Sequence, residues 1–166
     1  MSYEIEIQNE LDLDDFPVQR VTETITEVLT HHDVEPGSGI TLVVTTDEEV
    51  RSLNQQYRGV DAATDILSFP ADPLPDEIAD EADDPPYLGD LIVAYPYTLQ
   101  HAEEAGHAIG DELVLLAIHG TLHLLGYDHD NAENQQKMWS EQKRALDIAK
   151  VKIDVPLFTF GDDEHV

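Results

Sequence analysis

Three imidazoles stand in the stretch HGTLHLLGYDH, at His119, His123 and His129, and the chain has no cysteine. Any metal must therefore be held by nitrogen or oxygen, and neutral imidazole suits ions such as zinc, nickel and copper. On an α-helix, residues four apart lie on one face, so His119 and His123 point the same way, one turn apart. Gly126 can stop that helix in a left-handed conformation. The chain then turns back, and His129 can meet the other two. The plain alternative is a set of core histidines, each satisfied by its own hydrogen bond, because an unpaired buried imidazole is costly. A third histidine beyond a helix-ending glycine favours a shared ion. Three nitrogen ligands without thiolate describe an open, catalytic type of site. Such an ion lowers the pKa of a bound water toward about 7 and polarises a phosphoryl oxygen.

The spacing H-x-x-x-H-x-x-G-x-x-H is shared with a class of zinc peptidases, which carry a glutamate general base directly after the first histidine. Here that position is Gly120. A mid-helix glycine costs about 1 kcal/mol relative to alanine, and it permits close approach of another backbone or of a substrate. Asp128 is open to two roles. It can serve as a base or as the partner of a metal ligand, or it can be a turn residue bonded to its own backbone. A second stretch, NQQYRGVDAATDILSFP, holds Arg58; only Arg20 and Arg51 are other Lys or Arg residues before position 110. A guanidinium suits bidentate phosphate binding, although an arginine at a helix end ordinarily caps carbonyls at the surface.

The elements that must position these residues follow from periodicity. YEIEI, at 3–7, alternates in strand fashion. PVQRVTETITEVLTHH places Val18, Val21, Ile25, Val28 and Leu29 on one helical face behind Pro17, and His31 and His32 at its end are expected to be solvated beside the helix dipole. PGSG is a turn, and ITLVVTT is a buried strand by its β-branched content. Thr46 and Glu49 form a capping-box pattern that opens a helix through about Arg58. TDILSF is a strand closed by Pro70. Residues 70–86 hold five prolines and seven acidic residues and read as a surface loop. LGDLIVAY is a strand, and Pro96 opens a helix over about 97–105. The next helix, from about Asp111 to Leu125, is apolar nearly all round and so buried. A last helix, about 131–150, carries Met138, Leu146 and Ala149. Mixed strands and helices around one sheet give an α+β or α/β class.

The chain has 166 residues and 41% hydrophobic residues, which suits one domain with one core. The polar start MSYEIEIQNE has no signal-peptide character, and no apolar run approaches the roughly 20 residues that span a bilayer. A cytoplasmic protein without a membrane partner is expected. Thirty-six acidic residues face eight Lys and Arg, for a net charge of −28. That balance opposes nucleic-acid binding at low salt and repels a compact state. At about 1 M salt the Debye length falls to roughly 3 Å and the repulsion is screened, so the composition points to a halophilic source.

Taken in order, Y-R-x-x-D-x-x-T-D-I-L-S-F-P, then L-G-D-L-I-V, then H-G-x-L-H-L-x-G-Y-D-H resemble the YbeY family, bacterial endoribonucleases of ribosomal RNA maturation. The resemblance spans about residues 40–150. It implies Zn²⁺ held by His119, His123 and His129, and Arg58 as a residue important for ribonuclease activity. It implies a single α+β domain over 1–166, with a central mixed sheet of about four strands and about five helices. It also implies processing of the 3′ end of 16S rRNA and quality control of the small ribosomal subunit, with single-stranded RNA, that subunit and its proteins as partners. A phosphodiester substrate would explain the missing peptidase base, since the RNA 2′-hydroxyl can serve as an internal nucleophile or, alternatively, a zinc-bound hydroxide can attack phosphorus directly. Two other readings stay open: a non-catalytic ribosome assembly factor with structural zinc, and a peptidase-like hydrolase of another substrate.

Overall fold

The structure is a computed structural model and describes residues 3–71, 86–128 and 131–151. The alternating EIEIQN forms β1 (Glu4–Asn9), with its charged residues outward. The β-branched GITLVVT forms β2 (Gly39–Thr45), buried over most of its length. With β3 (Ile66–Pro70) and β4 (Tyr87–Ala94) they make one sheet in the order β1-β2-β4-β3. β1, β2 and β4 run parallel, and β3 pairs antiparallel with β4. Among the described residues five helices accompany the sheet: α1 (Val18–His31), α2 (Asp47–Arg58), α3 (Tyr95–Ala105), α4 (Ile109–Leu124) and α5 (Ala132–Ile148). The mixed sheet and helix count agree with the α+β expectation.

Local chemistry accounts for the element ends. Thr46 caps α2 by accepting from the Glu49 N–H at 3.2 Å, which is half of the predicted capping box. α2 closes on Gly59 at φ 72°, a left-handed position that glycine takes without penalty. On α1, Val21, Ile25, Val28 and Leu29 are fully buried. Val18, expected on the same face, is instead 46% exposed, because it is the first helical residue and lies beyond the edge of the packed layer. The predicted 70–86 loop falls mostly on residues 72–85, outside the described residues.

The two faces of the sheet carry different layers. Ile40, Leu42, Val44, Leu91 and Val93 meet α1 and α4 on one face. Leu67, Ile92 and Ala94 meet Val50 and Leu53 of α2 and Tyr97 of α3 on the other. α5 packs behind α4, through Met138, Ala145 and Leu146 against Val114, Leu115, Ile118 and Leu122. α4 is thus enclosed by the sheet, α1 and α5, which is why Glu112 through Leu122 are all buried. No helix among the described residues is long and apolar enough to cross a membrane.

Candidate metal centre

α4 ends as the sequence leads one to expect. Gly126 takes φ 101°. The Tyr127 N–H reaches the Leu122 carbonyl at 3.0 Å, and the Gly126 N–H reaches that of His123 at 3.0 Å. This pair of bonds is a Schellman motif, and it turns the chain sharply at the point where the third histidine would have to come back. His129 itself lies outside the described residues.

His119 and His123 do share a face. Their rings sit edge to face with centroids 4.6 Å apart and planes at 86°. His119 is fully buried, and its ring lies 6.4 Å from that of Trp139 on α5. Its Nδ1 is 3.0 Å from Oε1 of Gln142, also on α5 and also fully buried. An amide oxygen only accepts, so Nδ1 carries the proton and Nε2 carries the lone pair. The Nε2 atoms of both histidines are buried. A neutral imidazole whose other nitrogen donates to a fixed acceptor is the usual state of a histidine that binds a metal. The donor chemistry therefore fits an imidazole-binding divalent ion. Among the described residues no three His, Asp or Glu side chains converge as a complete set. His119 and His123 supply two positions, and the predicted third is His129.

Gly120 has a packing reason. A Cβ there would lie 2.8 Å from Leu91 Cδ2 and 3.0 Å from Ile66 Cδ1. The backbone of α4 thus rests on the sheet at the position where the peptidases place their base, and the close approach is to the sheet rather than to a substrate. Asp128 is exposed on the turn. That turn forms one wall of an open cleft of about 460 Å³, with His32, Val34, Asn134 and Lys137 opposite.

Arg58 is the last residue of α2, and its Nη1 is 3.4 Å from Asn54 Oδ1. α2 and α4 occupy opposite faces of the sheet, yet both end near the same strand end. Tyr57 meets Phe69 at 5.2 Å. Phe69 pairs with Asp90 and Pro70 with Gly89, and Leu124 lies 2.8 Å from where a Gly89 Cβ would stand. Tyr57 and Leu124, the chain neighbours of Arg58 and His123, therefore both lie near the C-terminal end of the edge strand β3.

Three features escaped the sequence reading. Gln142 is a polar residue within the apolar stripe of Met138, Ala145 and Leu146 on α5, and that position was the available signal. His32, expected in solvent, is half-buried. Its Nδ1 bonds the Val28 carbonyl at 2.8 Å, and its Nε2 lies 3.1 Å from both Tyr127 Oη and Glu141 Oε1. Burial pushes the Tyr127 hydroxyl pKa up, the Glu141 carboxylate adds to this, and Arg144 partly opposes it. Glu112, in the first turn of α4, is buried with one oxygen 2.5 Å from His107 Nδ1. Nothing in the local sequence pattern marks that pairing.

The profile of a family described as endoribonuclease YbeY matches residues 4–150. Endoribonuclease YbeY of Bacillus velezensis is 44% identical over 119 residues, covering 69% of this chain and 74% of that protein. Endoribonuclease YbeY of Chloroflexus aggregans is 36% identical over 148 residues, covering 88% and 95%. The solution structure of TM1509 from Thermotoga maritima superposes with a TM-score of 0.55 at 28% identity, over 87% of this chain and 88% of that one. The profile spans nearly the whole described chain, with the histidine pair, its glycine-ended helix and the Arg58 stretch inside it. On these grounds the chain belongs to the YbeY endoribonuclease family.

Proposed function

We propose that this chain is a metal-dependent endoribonuclease that cuts single-stranded RNA in the cytoplasm. Its task is maturation of the 3′ end of 16S rRNA and quality control of the small ribosomal subunit, with that subunit and its proteins as partners. The observation that carries the reading is the His119–His123 pair with Gln142 on Nδ1 of His119, in a chain whose relatives are named endoribonucleases. His119, His123 and His129 would hold the ion, and Zn²⁺ suits an all-imidazole set. When bound, the ion supplies Lewis acidity toward a phosphoryl oxygen. The protein's own part is to bind and orient. The buried Nε2 atoms of His119 and His123 would fix the position of the charge, and the Gln142 amide fixes the tautomer of His119. Arg58 offers a planar pair of donors to the phosphoryl oxygens. Single strands suit such a site because their backbone can splay into a cleft. The acidic composition supports a salt-rich cytosol as its setting.

The test is cleavage of labelled single-stranded RNA by the pure protein in about 1 M KCl, a salt level at which charge repulsion is screened. Activity is expected to vanish with a chelator, and in Arg58→Ala and His123→Ala. Cleavage that persists in all three would overturn the reading. One observation favours a second reading. His119 links α4 to α5 through Gln142 and Trp139, as a metal that braces the C-terminal helices of a non-catalytic assembly factor would require. In that case metal removal unfolds the protein, and Arg58→Ala leaves ribosome maturation normal.

A further inference from the structure

The last turn of α2 holds an aromatic ring in water, beside Arg58. Tyr57 is 62% exposed, more than Val18, Tyr87 or Ile148, the other large apolar side chains that reach solvent among the described residues. Its ring packs on Phe69 of β3, with centroids 5.2 Å apart and planes at 65°. The support under this pair is rigid. The Gly59 N–H closes α2 on the Gln55 carbonyl at 3.0 Å, and Asn54 Nδ2 ties the following loop by donating to the Ala62 carbonyl at 2.8 Å. Phe69 is fixed in register opposite Asp90. A planar ligand stacking here meets a ring that is already ordered, so little conformational entropy is lost on binding.

Charge narrows the kind of ligand. The chain carries −28, with only eight Lys and Arg. Arg20, Arg51, Lys137 and Arg144 stand in ion pairs with Asp111, Asp61, Glu133 and Glu27. A nucleic-acid strand cannot be held here mainly by phosphate contacts, and in molar salt counterion release contributes little. Stacking of a base on an aromatic face does not depend on net charge and persists in salt.

We propose that Tyr57, backed by Phe69, is a stacking platform for an unpaired nucleobase of the RNA strand whose phosphate meets Arg58. The proposal rests on the RNA-cleaving reading above. It adds a site that grips a base rather than a phosphate, on the α2 side of the sheet and away from the histidines.

Anisotropy of a labelled, cleavage-resistant 2′-O-methyl oligoribonucleotide tests it, in about 1 M KCl where ionic contacts are screened. Tyr57→Ala is expected to weaken binding roughly five- to hundredfold, the range that corresponds to loss of one stacked base. Tyr57→Phe keeps the ring and should bind like the wild type. An oligonucleotide with one abasic position should lose affinity for the wild type, and little further for Tyr57→Ala. The Tyr57→Ala loss should be constant across salt, whereas the Arg58→Ala loss should shrink as salt rises, because it removes an ionic contact. Equal binding by wild type and Tyr57→Ala overturns the platform and leaves the RNA reading intact. Equal losses in Tyr57→Phe and Tyr57→Ala overturn it also, because the hydroxyl would then be the contact. A wild type that binds no RNA overturns the RNA reading itself. Melting curves of the variants keep a folding defect apart from a binding defect.

Discussion

Gln142 decides which nitrogen of His119 faces the site. Its Oε1 accepts a hydrogen bond from the His119 Nδ1–H, while its own Nε2 is buried with no hydrogen-bond partner among the described residues. A buried unsatisfied amide costs about 1–3 kcal/mol, so stability alone would favour leucine at this point of the α5 stripe. Gln142→Leu is therefore expected to weaken metal binding roughly 10–100-fold, measured by competition with a chromogenic chelator. Gln142→Glu keeps the acceptor and should retain affinity. Unchanged affinity in the leucine variant would mean that the hydrogen bond does not orient the ring. Gly120 acts at the same scale. The sheet occupies the space into which a peptidase glutamate would extend, so the absence of that base follows from packing.

At the scale of elements, the site depends on how β3 and β4 bring α2 and α4 to one sheet end. Gly89 makes that closure possible. It has φ 146°, and a Cβ there would stand 2.4 Å from the Phe69 carbonyl oxygen and 3.0 Å from Pro70 Cα. Those neighbours are backbone and cannot rotate away. Gly89→Ala should destabilise the fold by on the order of 3 kcal/mol and should disturb how the ends of α2 and α4 close on β3. Denaturant unfolding would measure the first effect; a normal midpoint would show that the strand end is not tightly constrained. Three tyrosines give a pH signature. Tyr87, Tyr95 and Tyr127 all have pKa values raised chiefly by burial. In the unfolded chain they ionise first, near pH 10. Folding stability from these groups is thus fully present below about pH 10 and is lost as pH rises through their folded values. Tyr127→Phe should flatten part of that alkaline loss in a melting series, and an identical pH profile would count against the account.

At the scale of the whole molecule, charge dominates. Among the described residues the most exposed ion pairs, Arg51 with Asp61 and Lys137 with Glu133, contribute little, because solvent screens them and side-chain entropy opposes them. They do not offset the self-repulsion of −28 charges. The melting temperature should rise between about 0.1 M and about 1 M KCl, as the Debye length falls from roughly 10 Å to 3 Å. Equal stability at both ends would remove the argument for a salt-rich cytosol. The same screening should be needed for RNA binding, since low salt leaves phosphates facing an acidic surface.

Local sequence pattern was enough to specify the alternating β1, the buried β2, the apolar face of α1, the capped start of α2 and the all-buried α4 with its glycine stop. These features are local: they depend on side-chain period and on the few residues that tolerate special backbone angles. It also placed His119 and His123 on one face, because four residues make about one helical turn. Tertiary structure alone decided what those histidines meet. The bond from Gln142 spans 23 residues, and the Tyr127 and Glu141 contacts of His32 join three separate elements. Val18 and Val21 have the same side chain, yet one is exposed and the other buried, since the edge of a packed layer is not written in a helical period. That α2 and α4 both end near Phe69 and Pro70 likewise follows from strand order and register, which are long-range pairings that no local pattern encodes.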